Sequence, residues 1–251
     1  MEDIISRFNE DEDNFAYDLV QEIRMNKGIV NDVLLNEVKS ISSKLDDPEY
    51  EVPISFYYSV FLLAEFRDKR LMDLLIELFC RYDVDYFDCL GGNILDCLSR
   101  IVNSVFDGDF DRIDNIIIDK NIDCFVRGKL LKCYIYFYDQ KMISKEYLIG
   151  YLRGLIDFFI GEHSDIYNFI MDVVIYTHLV EMADDFKKLY ELDYIDYNIL
   201  GGYDRFVDYV FGDNTTDESG VVELVENEMS WWWCFNKSKY NYSNVGFEKN
   251  S

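Results

Sequence analysis

The chain has 251 residues, with 49 acidic side chains against 24 basic ones and a formal net charge of −25. With 49% hydrophobic residues, 20 Tyr, 19 Phe and 3 Trp, it cannot be an acidic disordered tail, which lacks the side chains that drive burial. A nucleic-acid reader needs a basic stripe to meet phosphate. A disulfide-framed miniprotein needs far more than six cysteines in 251 residues.

A chain this long buries roughly 70–75% of the surface its unfolded form exposes, so its core needs no metal or disulfide staple. Met1-Glu2-Asp3-Ile4-Ile5 is acidic where a signal peptide needs basic charge. Of the two most apolar stretches, Tyr57–Ala64 is too short to span a membrane, and Tyr167–Val180 is interrupted by Asn168, Asp172 and His178. A cytoplasmic location is therefore expected. Cys80, Cys89, Cys97, Cys124, Cys133 and Cys234 are then read as small buried hydrophobes.

Two prolines in the whole chain leave helix after helix as the natural reading. Apolar residues recur at i, i+3/i+4, i+7 in Phe15-Leu19-Val20-Ile23 and Phe56-Val60-Leu63-Ala64, and again in Leu95-Leu98-Ile101-Val102-Val105 and Val126-Leu130-Cys133-Phe137. The same spacing continues in Leu148-Leu152-Leu155-Ile156-Phe159, Ile166-Ile170-Val173 and Met182-Phe186-Leu189. This is the period of one helical face, and no useful alternating run competes with it. The breaks are Asp46-Asp47-Pro48 with Pro53, Gly91-Gly92 before a helix near Asn93, Asp107-Gly108-Asp109, Gly161, Gly201-Gly202 and the polar run 212–220. Ser144 is a helix N-cap. Short connections make antiparallel neighbours.

The helices fall into pairs of roughly 35–45 residues, the size of a two-helix solenoid repeat. Asp123-Cys124-Phe125-Val126-Arg127 is the most repeat-like segment. It is similar to the HEAT pattern, in which Asp caps backbone amides and Arg is placed to pair with acidic groups of the next repeat. Asp123, Arg127 and the turn residue Gly91 are therefore structural candidates. From residue 213 the character changes to a polar linker, then Trp231-Trp232-Trp233-Cys234-Phe235 and a polar tail. The division is thus 1–212, a helical array, and 213–251, an aromatic appendage.

Several stretches together resemble a known group: 61–70 (FLLAEFRDKR), Gly91 with Leu98-Ser99-Arg100-Ile101, Asp107-Gly108-Asp109, Ile122–Arg127, Phe186–Tyr190 and Tyr194-Ile195-Asp196. The likeness is to an uncharacterised, mostly bacterial family of HEAT-like (PBS-lyase-type) α-helical repeat proteins known as a domain of unknown function. It covers about residues 13 to 210 and implies an α-solenoid, with no established activity. Members of that family often end in a Cys/His zinc motif. Here Cys234 is the one C-terminal cysteine and no histidine follows His178, so that motif is missing. After Gly91 the family's Asp and Thr-Glu are replaced by Gly92, Leu95 and Asp96.

Chemistry-bearing patterns are sparse. Cys80, Cys89 and Cys97 lack C-x-x-C spacing, which argues against structural zinc. The two histidines, His163 beside Glu162 and His178, cannot supply the repeated His-Glu pairs of HEAT-like metal hydroxylases. Asp107-Gly108-Asp109-Phe110-Asp111 opens like a calcium loop, but Arg112 and Ile118 stand where that loop needs its Gly and its bidentate Glu. A capping turn is the better reading, its aspartates facing the positive end of the next helix. No phosphate-binding glycine loop or nucleophile elbow is present. The expectation is a protein that is not an enzyme, with no catalytic, cofactor or metal residues.

What remains is charge and aromatic surface. An acidic solenoid face rimmed with Tyr suits a basic, Arg-rich protein partner and repels nucleic acid and anionic membrane. Asp107, Asp109 and Asp111, with Trp231, Trp232, Trp233 and Phe235, are the partner-binding candidates. The Trp run either folds back to cover the open end of the helical core or joins two copies as a dimer. The expected fold is all-α, about ten to twelve helices stacked as antiparallel pairs in a HEAT-like α-solenoid. The expected role is a non-catalytic acidic scaffold. The alternative is an inhibitor or immunity protein that blocks a nucleic-acid-processing enzyme or toxin by presenting nucleic-acid-like charge.

Overall fold

The computed structural model describes residues 3–47, 49–79, 92–161, 165–212, 220–232 and 234–235. It is all-helical, with no strand among the described residues. In chain order the helices are α1 (Asp3–Phe8), α2 (Tyr17–Met25), α3 (Lys27–Ser42), α4 (Ile54–Glu65), α5 (Arg70–Phe79), α6 (Gly92–Asp96), α7 (Leu98–Val105), α8 (Phe110–Ile118), α9 (Cys124–Asp139), α10 (Lys145–Phe159), α11 (Ile166–Tyr176), α12 (Ala183–Glu191), α13 (Tyr197–Leu200), α14 (Tyr203–Phe211) and α15 (Val225–Met229), with a 3₁₀ turn at Val180–Met182. These fifteen α-helices exceed the expected ten to twelve. Pieces such as α6, α13 and α15 span little more than one turn and carry too few apolar positions to show a helical period.

Helices α4, α7, α9, α11 and α14 pack against one another in that succession. Flanking them, α3 packs on α4 and α5, α5 on α7, α8 and α10 on α9, and α12 on α14. The two sets differ as their burial requires. In α4, Ser55, Phe56 and all residues from Tyr58 to Ala64 are buried, so this helix is apolar all round and needs cover on every side. The flanking α5, α8, α10 and α12 each bury one stripe.

Local chemistry sets the ends. Asp109, Asp123, Ser144 and Asp196 each accept a hydrogen bond from a backbone N–H of the helix they precede. Gly108, Gly161 and Gly201 take φ of 102°, 89° and 93° at breaks. Four other helix ends do without glycine. Arg67, Lys141, His178 and Asp193 have φ between 50° and 60°, and the residue after each donates its N–H back five positions: Asp68 to Leu63, Met142 to Phe137, Leu179 to Val174 and Tyr194 to Leu189. This is the Schellman closure of α4, α9, α11 and α12. The backbone hydrogen bonds offset the cost of a left-handed side chain.

The C-terminal segment 220–235 returns to the first half of the chain and lies across α4 and α7. Asn103 donates to the Gly220 carbonyl and Arg67 to that of Val222, and the Val222 N–H donates to Ser104 Oγ. Farther along, Arg24 bridges Glu65 and Glu226, the Val225 N–H donates to Glu65, and Arg100 pairs with Glu228 at 2.7 Å. Val222, Val225, Met229, Trp232 and Phe235 join the single buried cluster formed by the helices.

Candidate functional site

The first turn of α11 and the loop from α12 into α13 enclose a cleft of about 400 Å³ lined by Asp165, Asn168, Asp193, Tyr194, Ile195, Asp196, Tyr197 and Asn198. The loop is held from below. Ile195 is buried, the Tyr194 ring lies 5.2 Å from that of Tyr167, and Tyr197 meets Tyr190 edge-on at 5.5 Å. Asp193 takes the left-handed position of the α12 closure. Asp196 caps α13, its Oδ1 accepting from the Asn198 backbone and side chain at 2.8 and 2.9 Å. Three aspartates thus share a cleft whose lining holds no Lys or Arg.

Asn168 is buried to 8% exposure, and its side-chain carbonyl Oδ1 has no hydrogen-bond partner among the described residues. Leu192, Tyr197 and Ile199, all more than half exposed, stand on the same loop and helix. No group of three or more His, Cys, Asp or Glu among the described residues is placed to hold a metal ion.

The residues singled out from sequence take varied places. Asp107 Oδ1 accepts the Asp109 N–H, and Asp109 Oδ1 accepts that of Asp111, both in the turn before α8. Asp107 also pairs with Arg112, which reaches Asp73 at 2.7 Å. The Arg112 guanidinium and the turn amides hold the Asp107 carboxyl below its ordinary range against partial burial. Asp111 is exposed. Asp123 accepts from the Phe125 and Val126 amides. Arg127 is buried, donates Nε to the Ile117 carbonyl, and lies over the Phe159 ring at 5.0 Å.

Trp232 is buried at 3% exposure, Phe235 is buried, and Trp231 is 58% exposed. Trp233, Gly91, Cys80, Cys89 and His163 lie outside the described residues. Cys97 and Cys133 are buried, while Cys124 and Cys234 are half-buried. Burial pushes the Cys97 thiol up to about 12, beside Arg100 and Glu228. His178 faces the Val210 carbonyl through Nδ1 at 3.1 Å.

One buried carboxylate escaped the sequence reading. Asp114, on the half-buried side of α8, accepts from the hydroxyls of Tyr134 and Tyr151, whose rings stack 4.4 Å apart. Burial raises its pKa, the two phenols oppose the rise, and Asp111 adds to it. A folded-state pKa above the unfolded value means that the ionised carboxyl opposes folding. The residue's contribution to stability therefore falls as pH rises from the ordinary carboxylate range through the raised value. Asp114→Asn keeps an acceptor for the phenols and removes the charge. At neutral pH its urea midpoint is expected to equal or exceed that of the parent, with the gap closing on acidification. A midpoint well below the parent at neutral pH would contradict this.

The acidic cleft was also missed. Its signal was the run Asp193-Tyr194-Ile195-Asp196-Tyr197-Asn198, which follows the last strong apolar stripe and joins acid to aromatic.

Against known proteins, the profile described as "Protein of unknown function (DUF1186)" matches residues 1–236. The chain belongs to this family. Two curated relatives are uncharacterized proteins of Chlamydia muridarum (strain MoPn / Nigg) and Chlamydia trachomatis serovar D. Each is 28% identical over 127 residues, covering 50% of this chain and 49% of the relative. The chain therefore spans about half the length of the curated relatives it matches. No solved structure matches. No helix among the described residues is long and apolar enough to cross a membrane.

Proposed function

We propose that this DUF1186 protein is a non-catalytic acidic interaction module whose helix pairs stack as a HEAT-like right-handed solenoid, and that it captures a basic protein partner. The succession α4, α7, α9, α11, α14 with flanking helices supports the stacked-pair reading, since each helix of a solenoid touches mainly its neighbours. The observation that carries the partner's sign is the cleft at α11–α13, where three aspartates and two tyrosines line about 400 Å³ without a basic side chain. At a net charge of −25, the long-range field steers cationic partners and repels phosphate.

The test is affinity capture by the full chain from its native host, with identification by mass spectrometry. A basic partner is expected at low salt, lost at about 0.5 M salt where the Debye length falls to a few ångströms, and lost in the double variant Asp165→Lys, Asp193→Lys. Capture that survives both salt and charge reversal rejects the proposal. If the partner is a nuclease or toxin and the pure protein titrates its activity away near stoichiometry, capture is inhibition. That outcome selects the inhibitor form of the same reading.

A further inference from the structure

We infer that the cleft between the start of α11 and the α12–α13 loop is a receptor for one arginine side chain of the protein partner, with an adjacent apolar residue of that partner resting on Leu192, Tyr197 and Ile199. The inference deepens the interaction-module reading and rests on it.

Four observations lead to an arginine. The aspartates at 165, 193 and 196 come from two separate elements, and none of them belongs to a group close enough to hold a metal ion. Carboxylates spread around a cleft of about 400 Å³ fit a larger, delocalised cation.

The second observation is Asn168, which lines this cleft, is buried to 8% exposure, and has no donor for its Oδ1. Buried acceptors are nearly always satisfied, so one that is not points to a missing donor. A guanidinium brings five N–H groups in a planar fork and no acceptor, which suits a wall of carboxylates and one amide carbonyl.

Third, the Tyr194 and Tyr197 side chains line the same space, and a guanidinium stacks on such rings where an ammonium stays hydrated. Fourth, the rim is apolar where the partner's neighbouring residue would lie, with Leu192, Tyr197 and Ile199 exposed beside the charged cleft. One feature opposes a cation: the first turn of α11 carries partial positive charge. That amounts to about half an elementary charge, and the full charge of Asp165 next to it exceeds it.

The test uses the full chain and three labelled peptides that differ at one position flanked by leucines: Arg, Lys or citrulline. The Arg peptide is expected to bind at least about tenfold tighter than the Lys peptide, with no binding for citrulline, since the fork and the charge are both used. Asp165→Asn and Asp193→Asn should each weaken the Arg peptide about fivefold or more. Asn is tolerated in the left-handed conformation of Asp193, so unchanged thermal unfolding certifies that variant's fold. Ethylguanidinium, added alone, should shift the backbone amide signals of 165–168 and 193–198 in an NMR titration.

Equal affinity for Arg and Lys peptides overturns the inference, as does free L-arginine binding as tightly as the Arg peptide. Peptide binding that is salt-sensitive but indifferent to both Asn variants also overturns it, while leaving the acidic-module reading intact. Unmoved amide signals with ethylguanidinium overturn it whatever the affinity capture finds.

Discussion

Trp232→Ala is expected to lower stability by about 3–5 kcal/mol, against less than about 0.5 kcal/mol for Trp231→Ala one residue away. The contrast follows from where the strap seats each ring. Trp232 is 3% exposed and meets the rings of Tyr57 and Phe61 edge-on at 5.4 and 5.8 Å, both on α4. Trp231 is 58% exposed. The strap cannot slide to fill the cavity left by the lost indole, because it is pinned on both sides. Before the Trp, Arg24 holds Glu226 and Arg100 holds Glu228. After it, Phe235 packs against Phe15 and Tyr58. An unfilled cavity adds to the lost transfer energy. Urea unfolding of both variants, followed by far-UV circular dichroism, measures the difference. Equal midpoints for the two would show that the strap is not part of the cooperative core.

Gly128→Ala is expected to destabilise by about 1–3 kcal/mol, against the usual gain of about 0.5–1 kcal/mol for the same change inside a helix. Gly128 lies within α9, and a Cβ built there would sit 2.2 Å from Cγ and Cδ2 of Phe169 on α11. The ring lies on bare backbone, which brings the two helices close at their longest contact. Phe169 is itself met edge-on by Phe125 at 6.0 Å, so it cannot simply swing aside. The pair Gly128→Ala, Phe169→Ala should then cost less than the sum of the single changes, because the methyl enters space vacated by the ring. Thermal unfolding of the three variants checks this. Additive costs would mean that the contact does not set the effect.

Gly128 shows where sequence reading stops. A glycine inside a helical stripe reads as a weak point of that helix. Its use as a seat for Phe169 depends on a helix some forty residues onward in the chain. The helix ends show the same boundary. Asp109, Asp123 and Ser144 could be read as caps because a side-chain oxygen and the amides it meets lie within three residues. The closures at Arg67, Lys141, His178 and Asp193 carried no glycine to announce them. The cleft was invisible for a related reason. Asp165 and Asn168 belong to one segment and Asp193 to Asn198 to another, and in a chain with 49 acidic residues no local pattern distinguishes these from the rest. Asp114 gained its raised pKa from two tyrosines on other helices.

The all-helical character, the position of most breaks and the sign of the surface were determined by the sequence itself. Helical period, capping and charge count are local or additive quantities, complete within a few residues or summed over all. The burial of one tryptophan and the exposure of its neighbour were decided by the tertiary structure alone. So were the seating of the strap across α4 and α7 and the meeting of three aspartates with an unsatisfied Asn168. Each depends on which distant surfaces meet, and that follows from the packing of the whole core. The charge of −25 names the partner's sign. Only the fold places three of those charges around one cleft.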